Sequence, residues 1–155
     1  MEARRPGQSL TTMTLMMGVE HANTAGFVHG GWIMKLVDEA AGVTGMRHCN
    51  DRVVTAQVDN LSFEAPVHIG DLVTLTAIVT QAWRTSMEVE VEVRRENPRT
   101  GEGGMTTRAF LTMVCVDEAG RPRPVPQLLV ETEIERRRQQ GAEARRQARV
   151  ALREV

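Results

Sequence analysis

Residues 30–48, GGWIMKLVDEAAGVTGMRH, follow a helical period, and reading them as a helix decides the fold. After the Gly30-Gly31 pair, apolar side chains fall at Trp32, Ile33, Leu36, Val37, Ala40, Val43 and Met46, recurring three and four apart as on one helix face. Met34 and Ala41 add apolar character beside that stripe, which predicts a helix buried on more than one side. Upstream, Ser9–Gly18 (SLTTMTLMMG) reads as a strand, and Val19–His29, with Asn23, Thr24 and Gly26 and no period, reads as a loop. Downstream the pattern changes to strands. Arg52–Phe63 is rich in β-formers and ends at EAPVHIGD, where Pro66 and Gly70 punctuate. Leu72–Trp83 follows. Then Met87, Val89, Val91 and Val93 alternate with Glu88, Glu90, Glu92 and Arg94, as in a strand with one face on a core and the other wet. NPRTGEGG (Asn97–Gly104) is a turn, and Met105–Asp117 is a last strand before EAGRPRP. One apolar helix among long strands joined by short turns specifies an α+β domain, a long central helix wrapped by an antiparallel sheet.

The 155 residues suit a single domain. Nineteen basic residues against twenty acidic ones give a net charge of −1, which argues against nucleic acid as a partner. Aromatic residues at 3%, with no Tyr, argue against recognition by base stacking. No apolar run approaches the roughly 20 residues needed to span a bilayer, so no membrane association is expected. The first ten residues lack the apolar core of a secretory signal. Cys49 and Cys115, far apart in sequence and without a C-x-x-C, give neither a disulfide framework nor a metal site, and a reducing cytoplasm is the expected location. Residues 1–9 are expected to be flexible, 10–130 to form the domain, and 131–155 to be an Arg/Glu-rich helical tail. That tail carries +2 against −3 for the rest; it reads either as a solvated helix or as one that packs on a neighbouring subunit or an acidic ligand.

Three features of the loop and helix bear on chemistry. Asp38 lies within the largely apolar helix, where a carboxylate must be wet, hydrogen-bonded, paired or facing a cavity. Glu39 is its neighbour, about 100° round the helix axis, and periodicity does not choose which of the two is enclosed. Gly30-Gly31 is either a tight turn into the helix or an anion site, since the free N–H groups at a helix N-terminus favour a developing oxyanion and glycine lets a carbonyl approach closely. Asn23 and His29 flank this helix start.

The run HANTAGFVHGGWIMKLVDEAAG (21–42) resembles the signature of hotdog-fold acyl-CoA thioesterases, of the bacterial and brain acyl-CoA hydrolase type. Its His-Gly-Gly also has the character of phenylacetyl-type members. VVTAQVDNLSFEAPVHIGDLV (53–73), WRTSMEVEVEV (83–93) and TRAFLTMVCVDEAGRPRPVP (107–126) agree in order and spacing, so the resemblance covers roughly residues 12–126. It implies the hotdog fold, a catalytic Asn at Asn23, the helix carboxylate at Asp38, an oxyanion contact from backbone N–H at Gly30 and Gly31, and Arg84, Thr85 and Ser86 near coenzyme A. His29 joins them as a substrate-contacting residue. The asparagine and the carboxylate of such a site come from different subunits or tandem repeats across a dimer interface, which implies at least a homodimer here, assembled in relatives as a trimer of dimers.

The reaction so implied is hydrolysis of an acyl-CoA thioester to the free acid and coenzyme A, with no cofactor and no metal. Asp38 acts either as general base toward a water held by Asn23 or as a direct nucleophile. Two other readings are kept: a hotdog hydratase or dehydratase using His29, and a non-catalytic acyl-CoA sensor.

Overall fold

The computed structural model describes residues 1–153. Its elements are β1 (Thr11–Met16), α1 (Gly30–Cys49), β2 (Arg52–Phe63), β3 (Leu72–Ala82), β4 (Ser86–Glu96), β5 (Gly103–Val116) and α2 (Glu133–Arg153). The five strands form one antiparallel sheet in the order β1-β3-β4-β5-β2, so β1 and β2 are its edges. α1 packs across one face of this sheet and touches all five strands. This is the expected α+β arrangement, with a first strand shorter than its apolar run because Ser9 lies outside the ladder.

The core lies between α1 and the sheet. Ile33, Leu36, Val37, Ala40, Ala41, Thr44, Gly45 and His48 form the buried stripe of α1. Opposite them lie Val73, Leu75, Ala77 and Val79 of β3, Met87, Val89, Val91 and Val93 of β4, and Ala109, Leu111, Met113 and Cys115 of β5. Each fully buried Val, Leu, Ile or Met side chain among them contributes about 1.5–3 kcal/mol relative to exposure. Gly45 lets the end of α1 approach β2: a Cβ there would sit 3.2 Å from the methyl groups of Val53. α1 therefore runs antiparallel to β2, with Gly30 near Phe63 at one end and Gly45 near Val53 at the other. Met34 does not join the core; it is 47% exposed beside the β2 edge.

Two expectations about the periphery are corrected. The glutamate face of β4 is dry at its first two positions: Glu88 is fully buried and Glu90 nearly so, because α2 lies over them. Arg145 donates twice to Glu88, at 2.9 and 2.8 Å, and Thr80 Oγ1 donates to the same carboxylate at 2.6 Å. Arg149 reaches Asp59 of β2 at 2.7 Å, and Arg138 lies 3.5 Å from Glu90. The helix thus docks on its own sheet through a stripe of arginines around Ala142, whereas Ala144, Ala148, Ala151 and Leu152 face solvent. These residues, with Val155, recur at helical spacing along the tail; Val155 lies outside the described residues.

The N-terminus also has partners. Arg4 N–H donates to Gln127 O, Pro6–Gln8 form a single 3-10 turn, and Pro6 and Ser9 are buried. Backbone hydrogen bonds and burial hold residues that polar composition alone marks as loose.

Candidate active site

The loop before α1 is shaped by its own side chains. Val19–His21 make a 3-10 turn in which His21 Nδ1 accepts the Gly18 N–H at 2.9 Å. Asn23 Oδ1 then accepts two backbone N–H groups, from Ala25 at 2.9 Å and Phe27 at 3.1 Å. Asn23 N–H in turn donates to Phe27 O at 2.7 Å, and Gly26 takes the positive φ of +86° that closes the turn. The amide oxygen of Asn23 is therefore committed to the loop, and its NH2 is the end available to a ligand.

His29 is the N-cap of α1. Its Nδ1 accepts the Gly31 N–H at 2.8 Å, so the imidazole satisfies one of the orphan donors of the first turn. His29 Nδ1 thus serves the helix start, and the Gly31 N–H is engaged within the chain, while the imidazole itself is exposed. Gly30 N–H, the first of the helix, has no intrahelical acceptor. Gly30 also borders Phe63, whose ring would lie 3.4 Å from a Cβ placed there.

Asn23 and Gly30 share a pocket of about 370 Å³ with Phe27, Val28, Ile33, Phe63, Glu64, Ala65, Pro66, Val67 and Thr107. Its walls are mainly apolar, and two of its polar groups, the Asn23 amide and the Gly30 N–H, lie at the positive end of the α1 dipole. Such a cavity can hold an apolar acyl group and offer donors to an oxygen that becomes negative.

Asp38 is not in this pocket. Eight residues along α1, it stands about 12 Å from Gly30 measured along the axis. It is exposed beside the β2 edge, where Thr55 Oγ1 donates to its Oδ1 at 2.5 Å. Glu39 is exposed too and pairs with Lys35 at 3.0 Å, so within one chain both carboxylates are wet. Thr55 sits at an irregularity where the β2–β5 register shifts. Nothing local in the sequence marks it, because its partner lies on another element.

Arg84, Thr85 and Ser86 form the β3–β4 turn at the far end of the sheet. Ser86 pairs with Val114, seven residues along β5 from pocket residue Thr107, a separation of about 23 Å. The turn is pinned through its backbone: Val125 N–H donates to Arg84 O and Cys115 N–H to Thr85 O, each at 3.0 Å. The Arg84 side chain is exposed. Arg95 is spent on structure, donating to Asp71 at 2.7 Å. Burial works against the charge on Asp71, but Arg95 and the His68 N–H outweigh it and hold its pKa below the usual carboxylate value. Cys115 is no nucleophile: burial, with the neighbouring Cys49 thiol, pushes its pKa up to about 12. Among the described residues, no three His, Cys, Asp or Glu side chains gather as a metal site, and no helix is long and apolar enough to cross a membrane.

Comparison with known proteins gives this arrangement a family. Mouse cytosolic acyl coenzyme A thioester hydrolase is 37% identical over 132 residues, which are 84% of this chain and 35% of that protein. The chain thus spans about a third of the length of the curated relatives it matches first. A crystal structure of an apo-hexameric acyl-CoA thioesterase superposes with a TM-score of 0.96 at 39% identity, covering 100% of this chain and 99% of that one. The acyl-CoA hydrolase of Staphylococcus aureus, solved with butyryl coenzyme A, coenzyme A and coenzyme A disulfide, gives 0.90 at 29% identity over 97% and 92% of the two chains. Further structures of that hydrolase carry an asparagine, an aspartate or a threonine replaced by alanine; these are spaced 15 and then 17 positions apart, as Asn23, Asp38 and Thr55 are here. The family model described as the Thioesterase superfamily matches residues 25–102, from the loop before α1 to the β4–β5 turn, and with the wrapped helix it establishes that the chain belongs to this superfamily.

Proposed function

We propose that the protein hydrolyses acyl-CoA thioesters to the free acid and coenzyme A. The observation that carries this reading is the pocket at the α1 N-terminus, where apolar walls meet the Asn23 NH2 and the Gly30 N–H. The thioester carbonyl enters beside Gly30, and its oxygen takes up charge against that N–H and the helix dipole. Asn23 orients the attacking water. Asp38, held through Oδ1 by Thr55, accepts the water's proton on its free Oδ2. Collapse of the tetrahedral intermediate breaks the C–S bond, and the proton passes to the departing thiolate. The acyl-CoA and the attacking water supply all the reacting atoms, so no further cofactor enters.

The distance between Gly30 and Asp38 calls for a second copy. α1 and β2 run antiparallel, with Gly30 at Phe63 and Asp38 at Thr55. A two-fold axis midway between those levels passes near Met34 on the helix and Asp59 on the strand. Pairing of the two β2 edges about that axis brings Asp38 of each copy level with Gly30 of the other. It also covers Met34 and Val58, exposed by 47% and 43% in a single chain. The same copy carries its Arg84–Ser86 turn, two strand spacings (about 10 Å) from its β2, toward the coenzyme A of the shared site. Three such dimers per particle is the assembly consistent with the hexameric relative.

A thiol-release assay over a panel of acyl-CoAs tests the reading. Wild type liberates coenzyme A, and Asp38→Asn lowers kcat by on the order of 100-fold or more at unchanged Tm. Retention of more than a tenth of the activity overturns the assignment of Asp38. A hydratase would instead change enoyl absorbance without releasing thiol, and a sensor would bind acyl-CoA with neither signal.

A further inference from the structure

Thr107 lines the Asn23–Gly30 pocket without being used by the chemistry described above. It is 1% exposed, and its hydroxyl, itself buried, has no hydrogen-bond partner among the described residues. Its neighbour gives the contrast: Thr106 Oγ1 donates to Val93 O at 3.2 Å. A register shift, in which Val93 pairs with Thr107 and Arg94 with Met105, accompanies the burial of both threonines. Thr107 keeps the parity of Ala109 and Leu111, which face α1, and so forms part of the sheet floor of the pocket. Valine would fill the same volume without a buried, unpaired hydroxyl, so as a packing residue threonine is the poorer choice.

This inference rests on the hydrolase reading, in which the pocket receives an acyl-CoA. The charged nucleotide of coenzyme A stays at the solvent side, and the group that reaches the floor is the acyl group. A plain hydrocarbon chain there shuts water out and leaves Thr107 unpaired, whereas an acyl group with an oxygen on its chain pairs with it. We infer that Thr107 makes the pocket selective for acyl groups carrying a hydroxyl or oxo oxygen over hydrocarbon acyl groups of the same length. A buried polar group that must be paired discriminates more sharply than an apolar wall that only senses length.

The test measures kcat/KM for 3-hydroxybutyryl-CoA and butyryl-CoA with wild type, Thr107→Val and Thr107→Ser, together with the Tm of each. Wild type favours the hydroxylated substrate by about tenfold or more; Thr107→Val loses that preference at equal or higher Tm, and Thr107→Ser keeps it. An absent preference in wild type, or the same ratio in Thr107→Val, overturns the inference, and release of coenzyme A from both substrates then leaves the hydrolase reading standing. If wild type releases coenzyme A neither from these two nor from any other acyl-CoA of the panel, that reading falls separately. Selectivity is then measured by calorimetry with the S-(3-hydroxybutyl) and S-butyl thioethers of coenzyme A. Tighter binding of the hydroxylated thioether, lost in Thr107→Val, supports the inference, and equal affinities overturn it.

Discussion

At the scale of single residues, the histidines show how position decides role. His29 was legible as a residue beside the helix start, but the structure spends its Nδ1 on the Gly31 N–H. His48 closes the buried stripe of α1; its Nε2 donates to Pro126 O at 2.8 Å, while Nδ1 is buried without a partner among the described residues. Burial lowers the His48 pKa, and nearby Arg4 adds to that against the opposing Pro126 hydrogen bond. The folded state therefore binds a proton less readily than the unfolded chain, whose imidazole titrates at about 6.5. Stability is complete above that value and is lost as pH falls below it. The Tm should drop between pH 7.5 and 5.5, and His48→Leu should flatten that slope over the same interval; an unchanged slope removes His48 as its source. Thr55 makes the complementary point. Asn23 and Asp38 stood out through the motif around them, but a threonine in a β-rich strand is ordinary until the fold sets its hydroxyl on Asp38.

At the scale of elements, periodicity located α1 and the strands well, since a side chain's neighbours at i±2 or i±4 are written in the chain itself. It misread what covers the second face of the sheet. Alternation in β4 separates Met87, Val89, Val91 and Val93 from Glu88, Glu90 and Glu92, but it cannot say that α2, some 45 residues later, supplies arginines to that second face. The docking is ionic, and Glu88, with 0% exposure, depends on Arg145. Arg145→Ala leaves that carboxylate buried with only Thr80 to bond, and should cost about 3–5 kcal/mol in urea unfolding. Glu88→Leu combined with Arg145→Leu removes both charges and should recover most of that loss. A single variant as stable as wild type would mean that α2 holds to the sheet by other contacts.

At the scale of the whole molecule, one chain holds its chemical groups in three places: Asn23 and Gly30 in the pocket, Asp38 with Thr55 at the β2 edge, and Arg84–Ser86 at the far turn. The proposed assembly closes those gaps through β2, an edge with apolar side chains left exposed. Val58→Lys places a charge on that edge beside Met34. It should shift the protein toward monomer in light scattering and lower thiol release by on the order of 100-fold, because in a separated chain no Asp38 lies level with Gly30. Monomers with full activity would show that each chain completes its own site.

Sequence by itself determined the element types, the buried stripe of α1 and, through its resemblance to a known family, the asparagine and carboxylate worth examining. Those features depend on local periodicity and on contiguous motifs. Tertiary structure alone decided that Gly31 is capped, that Glu88 is buried under α2, that Thr55 holds Asp38, and that Thr107 faces the pocket unpaired. Three of these depend on which distant groups the folded backbone sets within hydrogen-bonding distance of one another, and the Gly31 cap depends on the rotamer that His29 takes at the first turn. Neither is written in the order of residues along the chain.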